Sequence, residues 1–494
     1  MLHAGERVRD YEVWGRLGGG GMSDVWLARH SELAVPVIIK TLRPDLAVSP
    51  EDRARRMRTE ARLMARIASA QVVRAYDVGT HRDVPFIAEE YVDGIDLNEL
   101  DHARRAALGR GLPLWFVCQA VSEIARALHA AHQHGVLHRD VKPSNFFGSP
   151  ELGAKLGDFG IAVVKQVAEL PSGEASGTLR FMAPEALRGE PLDRRADVFG
   201  LGAAAYDLRY GVPPFPNPRV LLESAPHPVF PPPRGPDEAY FQHLLARMLA
   251  HDPRHRYPSL ARPAQLFAAL ARSVAHPPPP SRAPDGATFA GAQVTVEAGD
   301  ISRAHVDGIM SSANYQLAMR SGVGDALRRA GGDELEREAQ AGGEQPLGVC
   351  VVTEPGRLSC RKVLHAVSAW QQASCVGRSM QRALLEAERL GLETLAVPAL
   401  GTGEAAVALE ASACAMVAAL RGHLALGGSR LREVRFVLFD EAKRRLFADV
   451  LDAALLGEDD ELPDLGLDTG GAERSSDEVS TDGPTFFQPA LTRH

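Results

Sequence analysis

Cysteine is scarce in this chain. There are five in 494 residues (Cys118, Cys350, Cys360, Cys375 and Cys414), with no Cys-x-x-Cys pair among them. That spacing excludes a zinc ribbon and a disulfide framework, and it fits a reducing, cytoplasmic setting. Long apolar runs are missing too: nothing approaches the ~20 residues needed to cross a bilayer. The first ten residues, Met1 to Asp10, are polar and charged and do not resemble a secretion signal. Nor is there an excess of basic charge. The formal charge of −8 is matched by the stretch from Gly457 onward, which holds ten acids against Arg474 and Arg493. The remainder is close to neutral and offers no electrostatic case for nucleic acid. At this length the chain is too long for one ordinary core, so several domains are expected.

What is present begins with His138-Arg139-Asp140-Val141-Lys142-Pro143-Ser144-Asn145, a loop after an apolar helix expected over Leu112 to Gly135. An Asp, a Lys two residues later and an Asn three after that combine the groups phosphoryl transfer needs. These are a carboxylate to orient a hydroxyl, an ammonium for the moving phosphoryl group and an amide oxygen for Mg²⁺. Asp158-Phe159-Gly160 would supply a second metal-binding side chain. Here the chain resembles the eukaryotic-type (bacterial Hanks-like) protein kinases, and Lys142 with Ser144 resembles the Ser/Thr branch. The resemblance implies an α+β bilobal protein kinase fold, ATP and Mg²⁺ as cofactors and protein substrates. It makes Asp140 and Lys142 catalytic, and Asn145 and Asp158 the metal ligands.

Upstream, Leu17-Gly18-Gly19-Gly20-Gly21-Met22-Ser23-Asp24-Val25 lies between two β-prone runs, and glycines there let a hairpin close over phosphates. The family pattern has a third glycine where this chain has Ser23. Lys40 ends Val37-Ile38-Ile39-Lys40, like the strand lysine that grips α- and β-phosphates. Alone, it would read as a surface lysine. The helix expected over Glu51 to Ala68 carries Glu60 where the family places that lysine's partner; an ordinary pair with a neighbouring Arg is the alternative. By resemblance Gly18, Gly20, Val25, Lys40 and Glu60 bind ATP, and the backbone of Glu90 and Val92 meets the adenine edge. Glu89 falls at the gatekeeper position, usually apolar, where a buried carboxylate is costly unless paired.

His129, His132 and His134 could suggest a metal site, but their place before the Asp140 loop favours capping and packing. Arg139 suggests a pocket for a phosphorylated residue of the loop between Gly160 and Ala183-Pro184-Glu185. Within that loop Thr178 reads as structural, and Ser172 and Ser176 as phosphorylation candidates. Asp197 and the pair of Arg256 with Glu185 read as scaffold. A pseudokinase scaffold is the competing class. It usually lacks one of Lys40, Asp140 and Asp158, all present here.

After the polyproline spacer near Pro277-Pro278-Pro279-Pro280, strands expected at Gln293–Glu297, Gly308–Ser311, Val349–Val352, Val363–Val367, Thr394–Pro398 and Val434–Phe439 alternate with helices at Gly324–Ala330, Val376–Leu390, Leu409–Gly422 and Glu441–Leu455. Such alternation implies a sandwiched, largely parallel sheet with ligands at strand C-termini. Gly299-Asp300-Ile301-Ser302, Ser311-Ser312-Ala313-Asn314, Ser321-Gly322-Val323-Gly324 and Gly401-Thr402-Gly403 then resemble the macro domain family. The resemblance implies an α/β/α three-layer fold and an ADP-ribose ligand. Asp300 and Ile301 would hold the adenine end, Asn314 the distal ribose, and Ser321, Gly322, Val323, Gly401, Thr402 and Gly403 the diphosphate.

Departures from the family bear on activity. Ser311 stands where many members carry an asparagine, Arg320 where they have glycine, and Glu404-Ala405-Ala406 where glycine is common. A hydrolytic branch has an aspartate directly after the loop valine. Here Gly324 stands there and Asp325 follows, turned about 100° on a helix, so a reader of ADP-ribose is favoured over a hydrolase. A domain that binds only protein is a third reading. The tail is expected to be disordered and solvating. Expected domains are a protein kinase domain over 8–272, a Pro-rich linker over 273–288, a macro domain over 289–456 and an acidic tail over 457–494. The macro-domain resemblance implies ADP-ribosylated proteins as partners; nucleic acid and membrane are not expected.

Overall fold

A computed structural model describes residues 2–19, 23–43, 49–149, 153–159, 179–215, 221–222, 227–283, 286–370, 373–403 and 405–456. Gly20, Gly160, Ser172, Ser176, Thr178, Glu404 and the acidic tail lie outside the described residues.

The first lobe is a twisted sheet of order β1-β2-β3-β4-β6-β5. Its strands are β1 (Arg7–Val8), β2 (Tyr11–Gly19), β3 (Ser23–His30), β4 (Pro36–Leu42), β5 (Ala75–His81) and β6 (Val84–Glu90), and helix α1 (Pro50–Met64) lies against it. Ser49 caps α1 by accepting from Asp52 N at 3.1 Å, and Pro50 stands at its first turn, where a missing N–H costs nothing. The helix ends at Met64, four residues short of the expected Ala68. Antiparallel register sets Val25 opposite Lys40 and Lys40 opposite Ile87. Side chains alternate along strands, so Lys40 and Glu89 face α1 from one side of the sheet.

The second lobe is mostly helical. It contains α2 (Leu97–Leu108), α3 (Leu114–Gln133), the hairpin β7 (Phe146–Ser149) and β8 (Gly153–Leu156), then α4 (Pro184–Leu187), α5 (Arg195–Tyr210), α6 (Pro236–Met248) and α7 (Ala261–Ser273). Helix α3 buries most of its length, and Gly135, at φ +72°, lets the chain turn out of it into the Asp140 loop.

The linker is shorter than the expected 273–288. Helix α7 reaches Ser273, and β9 (Ser281–Ala283) and β10 (Gly286–Phe289) already join the next sheet as its antiparallel edge. That sheet adds β11 (Ala292–Ala298), β12 (Gly308–Ala313), β13 (Cys350–Thr353), β14 (Lys362–Val367), β15 (Thr394–Val397) and β16 (Glu433–Leu438). Their order is β13-β14-β12-β15-β16-β11-β10-β9, parallel from β14 through β11. Helices α8 (Gly322–Gly331) and α9 (Glu334–Gln340) cover one face, where Leu327 and Leu335 meet Ile309, Val363 and Ala396. On the other face α10 (Val376–Arg389), α11 (Leu409–Ala425) and α12 (Glu441–Leu456) pack on Met310, Leu364 and Phe436. Two helical layers around one sheet are the three layers expected. No helix among the described residues is long and apolar enough to cross a membrane.

Candidate functional sites: an interlobe cleft and a cleft at the parallel sheet

Between the first two lobes, the sequence-predicted residues converge on two centres. Lys40 Nζ lies 2.6 Å from Asp158 Oδ1 and 3.4 Å from Glu60 Oε1, joining β4, α1 and the turn after β8. Burial works to lower the Lys40 pKa, but Asp158, Glu60 and Glu89 together hold it well above its ordinary value. Burial likewise works to raise the Asp158 carboxyl, and Lys40 outweighs it and keeps the pKa below the usual range. Glu60 moves up, chiefly through burial.

At the second centre, Lys142 Nζ is 2.8 Å from Asp140 Oδ2, and Asn145 Nδ2 donates to Asp140 O at 2.8 Å. Asp140 Oδ1 is buried and has no hydrogen-bond partner among the described residues. The loop is held from beneath by Asp197 at the start of α5. Its two oxygens accept from His138 N and Arg139 N, each at 2.9 Å, and Oδ2 also meets His132 Nε2 at 2.7 Å. These bonds stabilise Arg139 at φ +66°, a left-handed conformation that costs a non-glycine residue on the order of 1–3 kcal/mol. Asp158 is similarly strained at φ +52°. His134 caps α3 and His129 contacts Gln133, so the three histidines of α3 form no metal cluster among the described residues.

Oxygen donors of this kind suit a hard divalent cation. Asn145 commits its nitrogen to Asp140, which leaves its amide oxygen for a ligand role, and Gly157 N donating to Asn145 O at 3.0 Å ties this turn to Asp158. Asp158 retains the carboxyl oxygen that does not face Lys40. The residues fit Mg²⁺. Gly18 and Val25 pair across the hairpin, and the Glu90 side chain turns away to Lys155.

Glu89 is 5% exposed, and one of its oxygens lacks a partner among the described residues. Burial pushes its pKa up to about 8 despite Lys40 nearby. A carboxyl whose folded pKa exceeds its unfolded one gives up stability as pH rises from the unfolded value of about 4.5 toward 8. Glu89→Gln, which stays neutral, is therefore expected to match the wild type near pH 4 in thermal unfolding. Its advantage should grow between pH 4.5 and 8 to about 1–3 kcal/mol, then level off. Parallel unfolding curves across that range would rule out a strained Glu89.

The second site is a cleft of about 660 Å³ at the C-terminal ends of the parallel strands, lined in part by Asp300, Ile301, Asn314, Ser321, Gly322, Val323, Gly401, Thr402 and Gly403. All nine predicted residues therefore share one cleft. Asn314 Oδ1 accepts from Gln316 N (3.1 Å) and Ala318 N (3.2 Å), which leaves its Nδ2 to meet a ligand. Gly322 at φ +52° opens α8, so that helix starts at the cleft with unsatisfied N–H groups. Gly401 N donates to Ser312 Oγ at 3.0 Å and positions the second small-residue loop. Asp300 caps the turn that follows it, accepting from Ser302 N at 3.0 Å. Asp325 bonds Arg328 and Arg329 (2.9 and 2.7 Å) and does not line the cleft, and Arg320 turns to Glu336.

Several lining residues escaped the sequence reading, three of them polar or aromatic. His365 is buried, 3.0 Å from Thr353 Oγ1, with its pKa pushed down to about 4 by burial. It sits mid-strand, where a histidine reads as core. Phe439, expected as the strand's last residue, stands just past β16 at the cleft rim and is 86% exposed. Lys443 follows on α12. An aromatic just beyond a parallel strand's C-terminus was the available signal.

A sheet lobe carrying a Lys–Glu pair, a helical lobe carrying the Asp140 loop, and a three-layer domain with a cleft at its strand ends define two domain types. The family model for the protein kinase domain matches residues 11–265, and that for the macro domain matches 310–416. The chain belongs to the protein kinase family and also carries a macro domain. Asp300 and Ile301 precede the matched macro span. The chain is 31% identical over 345 residues to the serine/threonine-protein kinase PknB of Mycobacterium leprae, covering 67% of this chain and 51% of that protein. It is 34% identical over 270 residues to the serine/threonine-protein kinase Pkn1 of Myxococcus xanthus, covering 52% and 38%. The chain thus spans about half or less of these curated relatives. A crystal structure of the Mycobacterium tuberculosis PknI kinase domain matches with a TM-score of 0.44 and 31% identity, over 55% of this chain and 100% of that one.

Proposed function

We propose that this chain is an ATP- and Mg²⁺-dependent serine/threonine protein kinase whose macro domain binds ADP-ribose, free or attached to protein. The observation that carries the kinase reading is the joint survival of Lys40–Glu60, Lys40–Asp158 and Asp140–Lys142 as close pairs. An inactive scaffold has no need of these. Asp140 Oδ1 accepts the substrate hydroxyl and orients it, and Lys142 sets a positive charge beside that oxygen pair. Lys40, kept charged chiefly by Asp158 and Glu60, binds nucleotide phosphates; Glu60 fixes its direction. Bound Mg²⁺, held by Asn145 and Asp158, supplies charge neutralisation to the phosphates.

The macro reading rests on a cleft whose floor is a helix N-terminus and whose walls are two small-residue loops, the shape and polarity a diphosphate requires. Asp325, bound to two arginines outside the cleft, supports a reader over a hydrolase. Asn314→Ala removes both the donor toward a ribose and the brace of its own loop. It is expected to weaken ADP-ribose binding by about tenfold, from one or two hydrogen bonds, in calorimetry on the full chain. An unchanged affinity would place the ligand elsewhere.

A further inference from the structure

The macro domain grips the kinase domain across the hinge that joins its lobes. Asp93, directly after Val92, accepts from Gly377 N at 2.8 Å and Arg378 N at 2.9 Å. The kinase hinge thereby satisfies the first-turn donors of the macro helix α10. Arg378 Nη1 returns to Gly94 O at 2.6 Å, and Gln381 Oε1 accepts from Ile95 N at 3.2 Å. On the helical lobe, Arg382 forks onto Glu99 of α2 at 2.5 and 2.8 Å. Arg104, 1% exposed, donates to Gly427 O at 2.8 Å.

The sheet lobe is held as well. Leu347 N donates to Arg16 O on β2 at 2.8 Å. The Leu347 side chain closes over Gly15, where a Cβ would stand 2.9 Å from Leu347 Cδ1. Trp14, Leu17 and Leu27 share one buried cluster with Leu317 and Leu347. Strand β2 ends at Gly19, within the glycine-rich stretch of the sequence.

This contact reaches the macro cleft by a short path. Gln345 N donates to Tyr315 O at 2.7 Å, so the segment that touches β2 through Leu347 is also bonded to the residue after Asn314. Leu317 lines the cleft and belongs to the shared cluster. It is held at φ +54°, unfavourable for leucine, by a turn whose brace is the Asn314 side chain. A ligand that engages Asn314 therefore acts on the strained joint between the cleft and β2.

We propose that the macro domain is a clamp on the two kinase lobes. A ligand of the ADP-ribose class in its cleft tightens ATP binding through the Asn314–Leu317 turn, Leu347 and Arg16. The inference rests on the reading that this cleft takes ADP-ribose. The physical route is ordering: fixing the turn also fixes β2, so nucleotide binding then loses less freedom. Linkage requires each ligand to shift the other's affinity by the same factor.

The test uses the full chain and calorimetry, with free ADP-ribose and a nonhydrolysable imido analogue of ATP with Mg²⁺. Saturating ADP-ribose is expected to lower the Kd for the analogue about fivefold or more, and the analogue to lower the Kd for ADP-ribose equally. Leu347→Ala, outside both clefts, should bind each ligand alone but reduce the mutual shift to within twofold. The reciprocal measurement on the unaltered chain stands even if that variant fails to fold. A weakening of analogue binding by ADP-ribose would overturn the clamp as a device that tightens ATP binding. Binding of both ligands with unchanged affinities would overturn the clamp while sparing the ADP-ribose reading. Absence of ADP-ribose binding would overturn both.

Discussion

Asp140→Asn is expected to cut transfer of label from radiolabelled ATP onto the chain or a generic protein substrate by about 10²–10⁴-fold. The substitution preserves shape, so the loss isolates charge and proton acceptance. Asp140 Oδ1 is the buried oxygen with no partner among the described residues, the place a substrate hydroxyl would bond. Its other oxygen is engaged by Lys142 at 2.8 Å. An amide at 140 either turns its NH₂ toward Lys142 or presents it to the hydroxyl; in neither pose can it draw off a proton. Asp197 continues to hold His138 N and Arg139 N in the variant, so thermal unfolding should move little. Equal labelling of variant and wild type would remove Asp140 from the chemistry. Absence of label on both would favour the competing reading, a pseudokinase scaffold.

The contrast between what could and could not be read from the sequence follows from distance along the chain. Asp140, Lys142 and Asn145 are within five residues, and a loop of fixed length brings them together wherever the scaffold allows. Lys40, Glu60 and Asp158 lie farther apart, yet each stands in a local pattern (strand end, amphipathic helix, Asp-Phe-Gly) that marks it. The cleft loops were legible for the same reason: Ser321-Gly322 and Gly401-Thr402-Gly403 each follow a strand or open a helix. The domain contact was not. Asp93 and Gly377 are 284 residues apart, and Arg382 and Glu99 look like ordinary solvated charges on amphipathic helices. Their pairing depends on how two finished domains dock. Ser281–Ala283 was masked by the prolines before it, since an edge strand of three residues leaves no periodic trace. The charged α9 was too short to show a stripe, with only Leu335 and Ala339 buried as hydrophobic anchors.

These two kinds of legibility also separate two kinds of prediction. Changes at motif residues alter chemistry with the fold intact, and changes at the docked surface alter communication with both sites intact. Glu89 belongs to neither group. It is a carboxyl in an apolar position whose cost, set chiefly by burial, was legible from the sequence, and the structure adds that Lys40, Glu60 and Asp158 lie within reach of it.

The largest effect on stability is expected from Arg256→Met. Arg256 is fully buried and bonds Glu185 through Nη1–Oε1 at 2.6 Å and Nη2–Oε2 at 2.9 Å. It also donates to the carbonyls of Ala250 (2.7 Å), Arg195 (2.9 Å) and His251 (3.0 Å). Methionine fills similar space but leaves Glu185 as a buried, uncompensated charge, a loss of about 3–5 kcal/mol. For a domain of this size that corresponds to a fall in Tm of roughly 10 °C, measured by thermal unfolding. Glu185→Gln added to Arg256→Met should recover part of the loss, because no buried charge then remains unpaired. A fall below about 2 °C for the single variant would show that the pair is solvated in solution. The damage should extend to activity below the melting range. Arg256 bonds the first residue of α5 and stacks on Phe199 of the same helix at 4.9 Å. Two residues into that helix stands Asp197, which holds the backbone of His138 and Arg139. Loosening the start of α5 therefore loosens the support of Asp140, and phosphoryl transfer should fall at temperatures where the variant is still folded.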